Sequence, residues 1–157
     1  MDGIIVLNKP KGCTSHDIVY KVKKICNEKV GHTGTLDPFA EGLLVLTINK
    51  GTKIGSYIEA LDKTYIAKLT LGKSTDTLDL TGETIETKEV PSLTKEQIKE
   101  VVTSFIGKQK QIPPKYSAIK VNGRKLYEYA RENIDVEIKE REIEIFNIEL
   151  IDYSNNE

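Results

Sequence analysis

The fold that we expect is decided by the stretch Gly31-His32-Thr33-Gly34-Thr35-Leu36-Asp37-Pro38 and by the apolar run at residues 43–48 that follows it. Two glycines and a proline in this short stretch predict a loop, and the apolar run predicts a buried strand. Asp37 therefore stands shortly before a rigid element, a position that suits a reacting group. The small residues around Asp37 allow a ligand to approach the backbone closely.

Three interpretations of this loop stay open on the residues alone. A glycine-containing loop could cradle phosphate, although neither GxxxxGK[ST] nor GxGxxG is present. The loop could instead be a structural turn in which Asp37 caps the next element. It could also carry a catalytic carboxylate with His32 as its partner. A metal site is not expected, because only His16 adds a second imidazole and no ligand spacing is present.

On the N-terminal side of the loop, residues 4–7 predict a strand that stops at Asn8-Lys9-Pro10. Ser15 is then expected to cap a helix over residues 17–27, whose buried face includes Ile25. On the C-terminal side, residues 52–61 predict a helix. Alternating residues predict strands at 65–71 and 84–90, with a loop at 74–82 between them.

Further along the chain, Thr94 and Gln97 form a capping box for a helix that runs to residue 106, and Gly107 suits its C-terminal cap. Residues 108–115 predict an extended loop, and Asn122-Gly123 predicts a hairpin turn that follows residues 117–121. A helical turn is expected at 126–131, followed by strand-like sequence at 136–153 that charges interrupt at 139–141. We predict an α+β fold with a mixed, largely antiparallel sheet and flanking helices.

Charge is distributed unevenly along the chain. The net charge is only −1, but residues 108–131 carry seven Lys or Arg and a single acid. We call these residues the basic stripe; it suits phosphate contacts, although a solvated surface segment has the same composition. No apolar run approaches a membrane span, and the first residues lack the features of a signal peptide. Two cysteines suggest reduced thiols in a cytoplasmic protein rather than a disulfide framework.

Five motifs in order resemble the TruB family of tRNA pseudouridine-55 synthases, over essentially the whole chain. They are LNKPKGCTSHD at 7–17, GHTGTLDP at 31–38, DKTY at 62–65, GKSTDTLD at 72–79, and the pair QIPPKYSAIK at 111–120 and GRKLYEYAR at 123–131. The resemblance implies the catalytic fold of a pseudouridine synthase, and it gives residues 108–131 as an insertion that grips RNA.

The resemblance also implies a reaction in which uridine 55 in the T-loop of tRNA becomes pseudouridine without cofactor or metal. Asp37 would be the catalytic carboxylate, and the tRNA T-arm would be the partner. The residues that would bind the substrate nucleotide are His32, Thr35, Leu36 and Tyr65. Those that would contact the rest of the RNA are Lys9, Lys115, Tyr116, Lys120, Arg124 and Lys125.

The sequence departs from the family after residue 131. The family's SKGTYIR-type motif, whose arginine pairs with the catalytic aspartate, is not found, and Arg141 sits in an unrelated context. We therefore expect residues 1–157 to be the N-terminal portion of the catalytic domain, without its C-terminal part or the RNA-binding domain. Such a piece is expected to be inactive alone and to self-associate through a strand edge near residues 143–151.

Two other functions remain open at this point. One is a non-catalytic RNA-binding or tRNA-folding module that keeps the same scaffold. The other is a guide-RNA-directed relative that modifies ribosomal RNA and shares the GHxGTLDP core.

Overall fold

The chain folds as two units, Met1–Tyr65 and Ile66–Glu157, and each is described by itself. The structure is a computed structural model that describes residues 1–117, 119–132 and 134–157. Ala118, part of the expected hairpin start at 117–121, lies outside the described residues.

The first unit is built on a three-stranded antiparallel sheet with the order β1-β3-β2. Its strands are β1 (Gly3–Lys9), β2 (Val30–His32) and β3 (Gly42–Ile48). The central strand β3 buries Leu44, Leu46 and Ile48, as its apolar sequence predicts. Helix α1 (Ser15–Cys26) packs Ile18 and Val19 against Leu44 and Leu46 to form the core.

Three expectations for the first unit were wrong. Thr14, not Ser15, caps α1, through a capping box with Asp17. Ile25 is 85% exposed, because only the face carrying Ile18 and Val19 meets the sheet. Gly31 and His32 belong to β2 rather than to a loop, since pairing with β3 satisfies their backbone groups despite the glycine.

The last residues of the first unit and the first residues of the second are less regular than expected. The helix predicted at 52–61 is a 3₁₀-helix (Asn49–Ile54) followed by α2 (Gly55–Glu59). The strand predicted at 65–71 is wrong: its residues adopt no regular secondary structure, and those from 65 to 70 are exposed. Alternation alone does not make a strand, because a strand needs a partner for its backbone hydrogen bonds.

In its described residues, the second unit combines two helices with three two-stranded antiparallel sheets. Strand β4 (Lys73–Thr75) pairs with β5 (Thr84–Thr87), β6 (Gly107–Gln111) with β9 (Arg141–Ile145), and β7 (Lys120–Val121) with β8 (Arg124–Lys125). The helices are α3 (Lys95–Thr103), which has the expected Thr94–Gln97 capping box, and α4 (Leu126–Arg131). The expected turn at Asn122-Gly123 is also confirmed, with positive φ angles of 51° and 82°.

Several boundaries in the second unit differ from the prediction. Gly107 begins β6 instead of capping α3, whose cap is Ser104. Residues 107–111 form a strand because β9 supplies a partner that lies far away in sequence. The α+β class is confirmed, but the described strands pair only in antiparallel fashion and form four small sheets rather than one mixed sheet. None of the helices that the described residues form has the length and apolar character that a membrane crossing requires.

Candidate functional site

The loop that carries Asp37 begins where β2 ends. Thr33 is buried, and its amide and hydroxyl both donate to the Val45 carbonyl, at 3.0 and 3.4 Å. The loop closes in a tight turn, because the Ala40 amide donates to the Asp37 carbonyl at 3.0 Å. The beginning of the loop is therefore bonded to β3, and its end is closed by a hydrogen bond within the loop.

Ser15, the first residue of α1, holds the residue before Asp37. Its hydroxyl donates to the Leu36 carbonyl at 3.1 Å and accepts from the Leu36 amide at 2.9 Å. Ser15 is only 2% exposed, so water does not compete for these bonds. The N-terminus of α1 thus fixes the backbone on one side of Asp37.

The turn that follows β1 holds the other side of Asp37. The Gly12 amide donates to the Pro38 carbonyl at 2.8 Å, and Gly12 adopts a φ of +83° that favours glycine. The Lys9 ammonium donates to the Ala40 carbonyl at 2.8 Å. The backbone around Asp37 is therefore bonded to one short segment, residues 9–15, which we call the brace.

The position of Lys9 corrects its expected role as an RNA contact. Lys9 is 0% exposed. Its ammonium donates to the carbonyls of Pro10, Cys13 and Ala40 at 3.0, 2.8 and 2.8 Å. An ammonium has three hydrogens, so none is left for a phosphate. The cause is strand alternation, which turns Lys9 inward like Ile5 and Leu7.

The Asp37 side chain, in contrast to its backbone, makes no polar contact with the described residues. Asp37 is exposed, and none of the hydrogen bonds and ion pairs of the described residues involves its carboxylate. A Cβ atom built on Gly34 would meet nothing within 4 Å. A backbone held by hydrogen bonds on both sides thus presents a carboxylate that is unpaired among the described residues, an arrangement suited to a group that reacts with a ligand.

The remaining residues expected at the substrate occupy different settings. His32 is half-buried in β2 opposite Leu46, and its Nδ1 atom is buried without a hydrogen-bond partner among the described residues. Thr35 is exposed and Leu36 half-buried. Tyr65 is 68% exposed in the irregular segment, and none of the described hydrogen bonds joins it to the Asp37 loop.

The residues expected to contact RNA, apart from Lys9, lie in the second unit. Lys115 pairs with the exposed Asp135 at 3.0 Å, and Tyr116 is exposed. The hairpin of β7 and β8 places Lys120 opposite Lys125. The Lys125 ammonium lies 5.3 Å from the centre of the Tyr127 ring, within cation–π range.

Arg124 is the most constrained cation of the hairpin. It is hydrogen-bonded to Glu132 and lies 3.6 Å from Glu128. The hydrogen bond with Glu132 raises the pKa of the Arg124 guanidinium above its usual value. Its guanidinium also lies 5.0 Å from the centre of the Tyr129 ring. A phosphate would have to compete with these carboxylates for Arg124.

The sequence alone did not lead us to predict that the brace supports the Asp37 loop. Ser15 was taken for a helix cap and Lys9 for an RNA contact, although both belong to the support of the loop. For Lys9 the signal was available, because the alternation from Ile5 through Leu7 places it on the buried face. For Ser15 there was none, since its partner Leu36 is 21 residues away. The described residues contain no group of three His, Cys, Asp or Glu side chains placed to hold a metal.

Comparison with known proteins identifies relatives along nearly the whole chain. The model of the N-terminal domain of the TruB family of pseudouridylate synthases matches residues 22–157. The tRNA pseudouridine synthase B of Listeria innocua is 50% identical over 153 residues, 97% of this chain and 50% of that protein. The protein of the same name from Bacillus subtilis is 52% identical over 152 residues, 96% of this chain and 49% of that protein. The chain thus spans about half the length of these curated relatives.

A solved structure agrees with these relatives. The crystal structure of a Cbf5-Nop10-Gar1 complex contains a chain that is 29% identical, with a TM-score of 0.60 over 98% of this chain and 36% of that chain. Because the family model covers most of the chain and relatives near 50% identity cover nearly all of it, the chain belongs to the TruB family of pseudouridylate synthases.

Proposed function

We propose that the protein to which this chain belongs is a tRNA pseudouridine-55 synthase. The observation that carries the proposal is the exposed Asp37, whose carboxylate has no hydrogen bond or ion pair among the described residues, on a backbone that the brace holds on both sides. The names of the relatives, tRNA pseudouridine synthase B, support tRNA as the substrate. In this proposal the protein acts in the cytoplasm on a uridine in the T-arm.

The proposed reaction separates uracil from its ribose and rejoins it through C5. Cleavage of the N1–C1′ bond develops positive charge on the sugar, and a nearby carboxylate stabilises that charge or bonds to the carbon that carries it. The C5 atom of the rotated base then bonds to C1′, and any bond from the carboxylate to C1′ breaks. C5 loses its proton and N1 gains one, so the product is an isomer of uridine. We assign the carboxylate role to Asp37. No metal or cofactor is part of the proposal.

The target nucleotide must leave its stack before it reaches Asp37. We propose that the open space beside Gly34 admits the nucleotide, and that His32, Thr35 and Leu36 line its site. Tyr65 is proposed to stack on the uracil, and its exposed ring leaves it available for this role. The buried, unpartnered Nδ1 of His32 is consistent with a group that acquires a partner when RNA binds.

The basic stripe is proposed to be the insertion that grips the rest of the T-arm. Lys115, Lys120 and Lys125 would contact phosphates, Arg124 would do so after release from its carboxylates, and Tyr116 would pack against RNA. Residues 1–157 are then proposed to be the N-terminal portion of the catalytic domain, and a later segment would supply the arginine partner of Asp37. This is consistent with the coverage of about half of each relative.

The guide-RNA-directed alternative receives less support. Identity is 50% to the tRNA pseudouridine synthase B of Listeria innocua and 29% to the chain in the Cbf5-Nop10-Gar1 complex. The non-catalytic alternative gives Asp37 no role, and an exposed carboxylate on so firmly held a loop argues against it.

The decisive experiment uses the protein encoded by the complete reading frame and an unmodified tRNA transcript. We expect pseudouridine at position 55 with the wild-type protein, none with Asp37→Asn, and similar tRNA affinity for both. Glu59→Gln is the matched control, because Glu59 is an exposed carboxylate of the same unit. Modification by Asp37→Asn at the wild-type rate would refute the assignment. Residues 1–157 alone should bind tRNA weakly and form no pseudouridine.

A further inference from the structure

We propose that Ser15 is a positioning residue for the reaction, and that its hydroxyl sets the direction in which the Asp37 carboxylate leaves the loop. The inference rests on the proposed function and adds a residue outside the loop to it. Ser15 itself touches neither the carboxylate nor, in this proposal, the substrate. It acts through the backbone of Leu36.

The geometry of the contact explains why one hydroxyl suffices. The same Oγ atom binds both polar backbone groups of Leu36, at 2.9 Å to its amide and 3.1 Å to its carbonyl. The Leu36 carbonyl shares a rigid peptide plane with the Asp37 amide. Fixing that carbonyl fixes the plane from which the Asp37 Cα–Cβ bond projects. A two-point contact to Leu36 therefore orients its neighbour.

The Ser15 hydroxyl is not used in capping α1, and the helix that carries it is anchored in the core. Thr14 already caps α1, so the Ser15 hydroxyl is not needed at the helix terminus. One turn further along α1, Ile18 and Val19 are packed against the sheet. The hydroxyl therefore projects from an anchored helix into the loop, which is how a reacting group on a loop gains accuracy of position.

The remainder of the brace makes the role of Ser15 distinct. Gly12 and Lys9 hold Pro38 and Ala40, both after Asp37. Among the brace residues, Ser15 is the one that holds a residue before Asp37, and the preceding described attachment of the loop on that side is Thr33. Loss of the Ser15 hydroxyl leaves the backbone between Thr33 and Asp37 without this contact, so Asp37 stays present but can rotate away from the sugar.

The test compares Ser15→Ala with Thr14→Ala in the protein from the complete reading frame. Ser15→Ala is expected to lower kcat for tRNA by tenfold to about a hundredfold, the scale of a displacement near 1 Å, with KM within about twofold. Thr14→Ala removes a hydroxyl one residue away and should lower the melting temperature while kcat stays near wild type. Equal losses of kcat in both variants, or an unchanged kcat in Ser15→Ala, would overturn the inference.

Two further variants cover the case in which Ser15→Ala does not fold. Ser15→Cys replaces the hydroxyl by a somewhat larger thiol that is a weak donor and acceptor, and it should reproduce the loss of kcat. Ser15→Thr keeps the hydroxyl and should restore at least half of the wild-type kcat. A fully active Ser15→Cys protein would refute the role of the hydroxyl.

An independent measurement separates this inference from the proposed function. Hydrogen exchange of the Leu36 amide should be faster in Ser15→Ala than in wild type, and unchanged in Thr14→Ala. If wild type makes no pseudouridine, the proposed function fails whatever the exchange shows. If wild type is active, Asp37→Asn is inactive and Ser15→Ala is as active as wild type, only the role of Ser15 fails.

Discussion

The ammonium of Lys9 donates a hydrogen bond to the carbonyl of Ala40 at 2.8 Å, and this contact joins the end of β1 to the turn after Asp37. Lys9 thus belongs to the interior of the first unit although its side chain is charged. Buried charges are tolerated when hydrogen bonds satisfy them fully, and here three carbonyls do so.

Lys9→Met should destabilise the chain without changing its affinity for RNA. Loss of the ammonium leaves three carbonyls without their donor, at a cost of at least about 2 kcal/mol in the free energy of unfolding. Urea denaturation measures this cost. Lys11→Met, at an exposed lysine 3.8 Å from Glu41, is the matched control and should change little. An RNA affinity that falls only for Lys9→Met would restore Lys9 as an RNA contact.

Gly34→Ala should separate folding from function. A methyl group there meets nothing within 4 Å, so the free energy of unfolding should be unchanged or rise by up to about 1 kcal/mol. If the nucleotide uses the space beside Gly34, the rate of modification should fall at least tenfold. Gly51→Ala is the converse control, because its Cβ would clash with the Gly3 carbonyl oxygen, and this variant should destabilise the fold. Equal rates for Gly34→Ala and wild type would count against the proposed site.

The cap of α1 should make stability depend on pH. Hydrogen bonds from the Thr14 hydroxyl and amide hold the pKa of Asp17 below its ordinary value. The stabilisation is therefore present above the pKa of the unfolded chain and disappears as pH falls through the lower pKa of the folded chain. The stability difference between wild type and Asp17→Asn should be larger at about pH 7 than at about pH 2. Thermal unfolding at both pH values measures it, and a constant difference would contradict the prediction.

The hairpin cations should contribute unequally to RNA binding. Lys120 is exposed, and Lys120→Ala should reduce the slope of log affinity against log salt by about 1. Arg124 is bonded to Glu132, so Arg124→Ala should disturb the hairpin as well as binding. Lys50→Ala, which removes the same charge in the first unit, should leave the slope unchanged. A slope that Lys120→Ala does not alter would exclude a phosphate contact there.

The chain of residues 1–157 should self-associate. Strand β9 pairs only with β6 among the described residues, so its second edge offers unpaired backbone groups. Phe146, the residue after β9, and Ile151, further along the chain, are exposed. Phe146→Lys should shift the chain toward monomer in sedimentation experiments, because charged side chains hinder edge pairing. A wild-type chain that sediments as a monomer at high concentration would refute this prediction.

The sequence by itself determined the local features whose cause lies within a few residues. The apolar run of β3, the Thr94–Gln97 capping box and the Asn122-Gly123 turn each follow from neighbouring side chains and backbone angles. The ordered motifs also sufficed to indicate the family and to single out Asp37.

Only the tertiary structure decided which distant residues meet, and therefore which side chains support the loop. Residues 107–111 became a strand because β9 pairs with them, while residues 65–71 pair with none of the described strands and stayed irregular. The Lys9 ammonium reached the Ala40 carbonyl and the Ser15 hydroxyl reached Leu36 because β1, α1 and the loop converge in one unit. Hydrogen bonds and burial depend on neighbours in space, and a local sequence pattern does not predict contacts with residues that are distant along the chain.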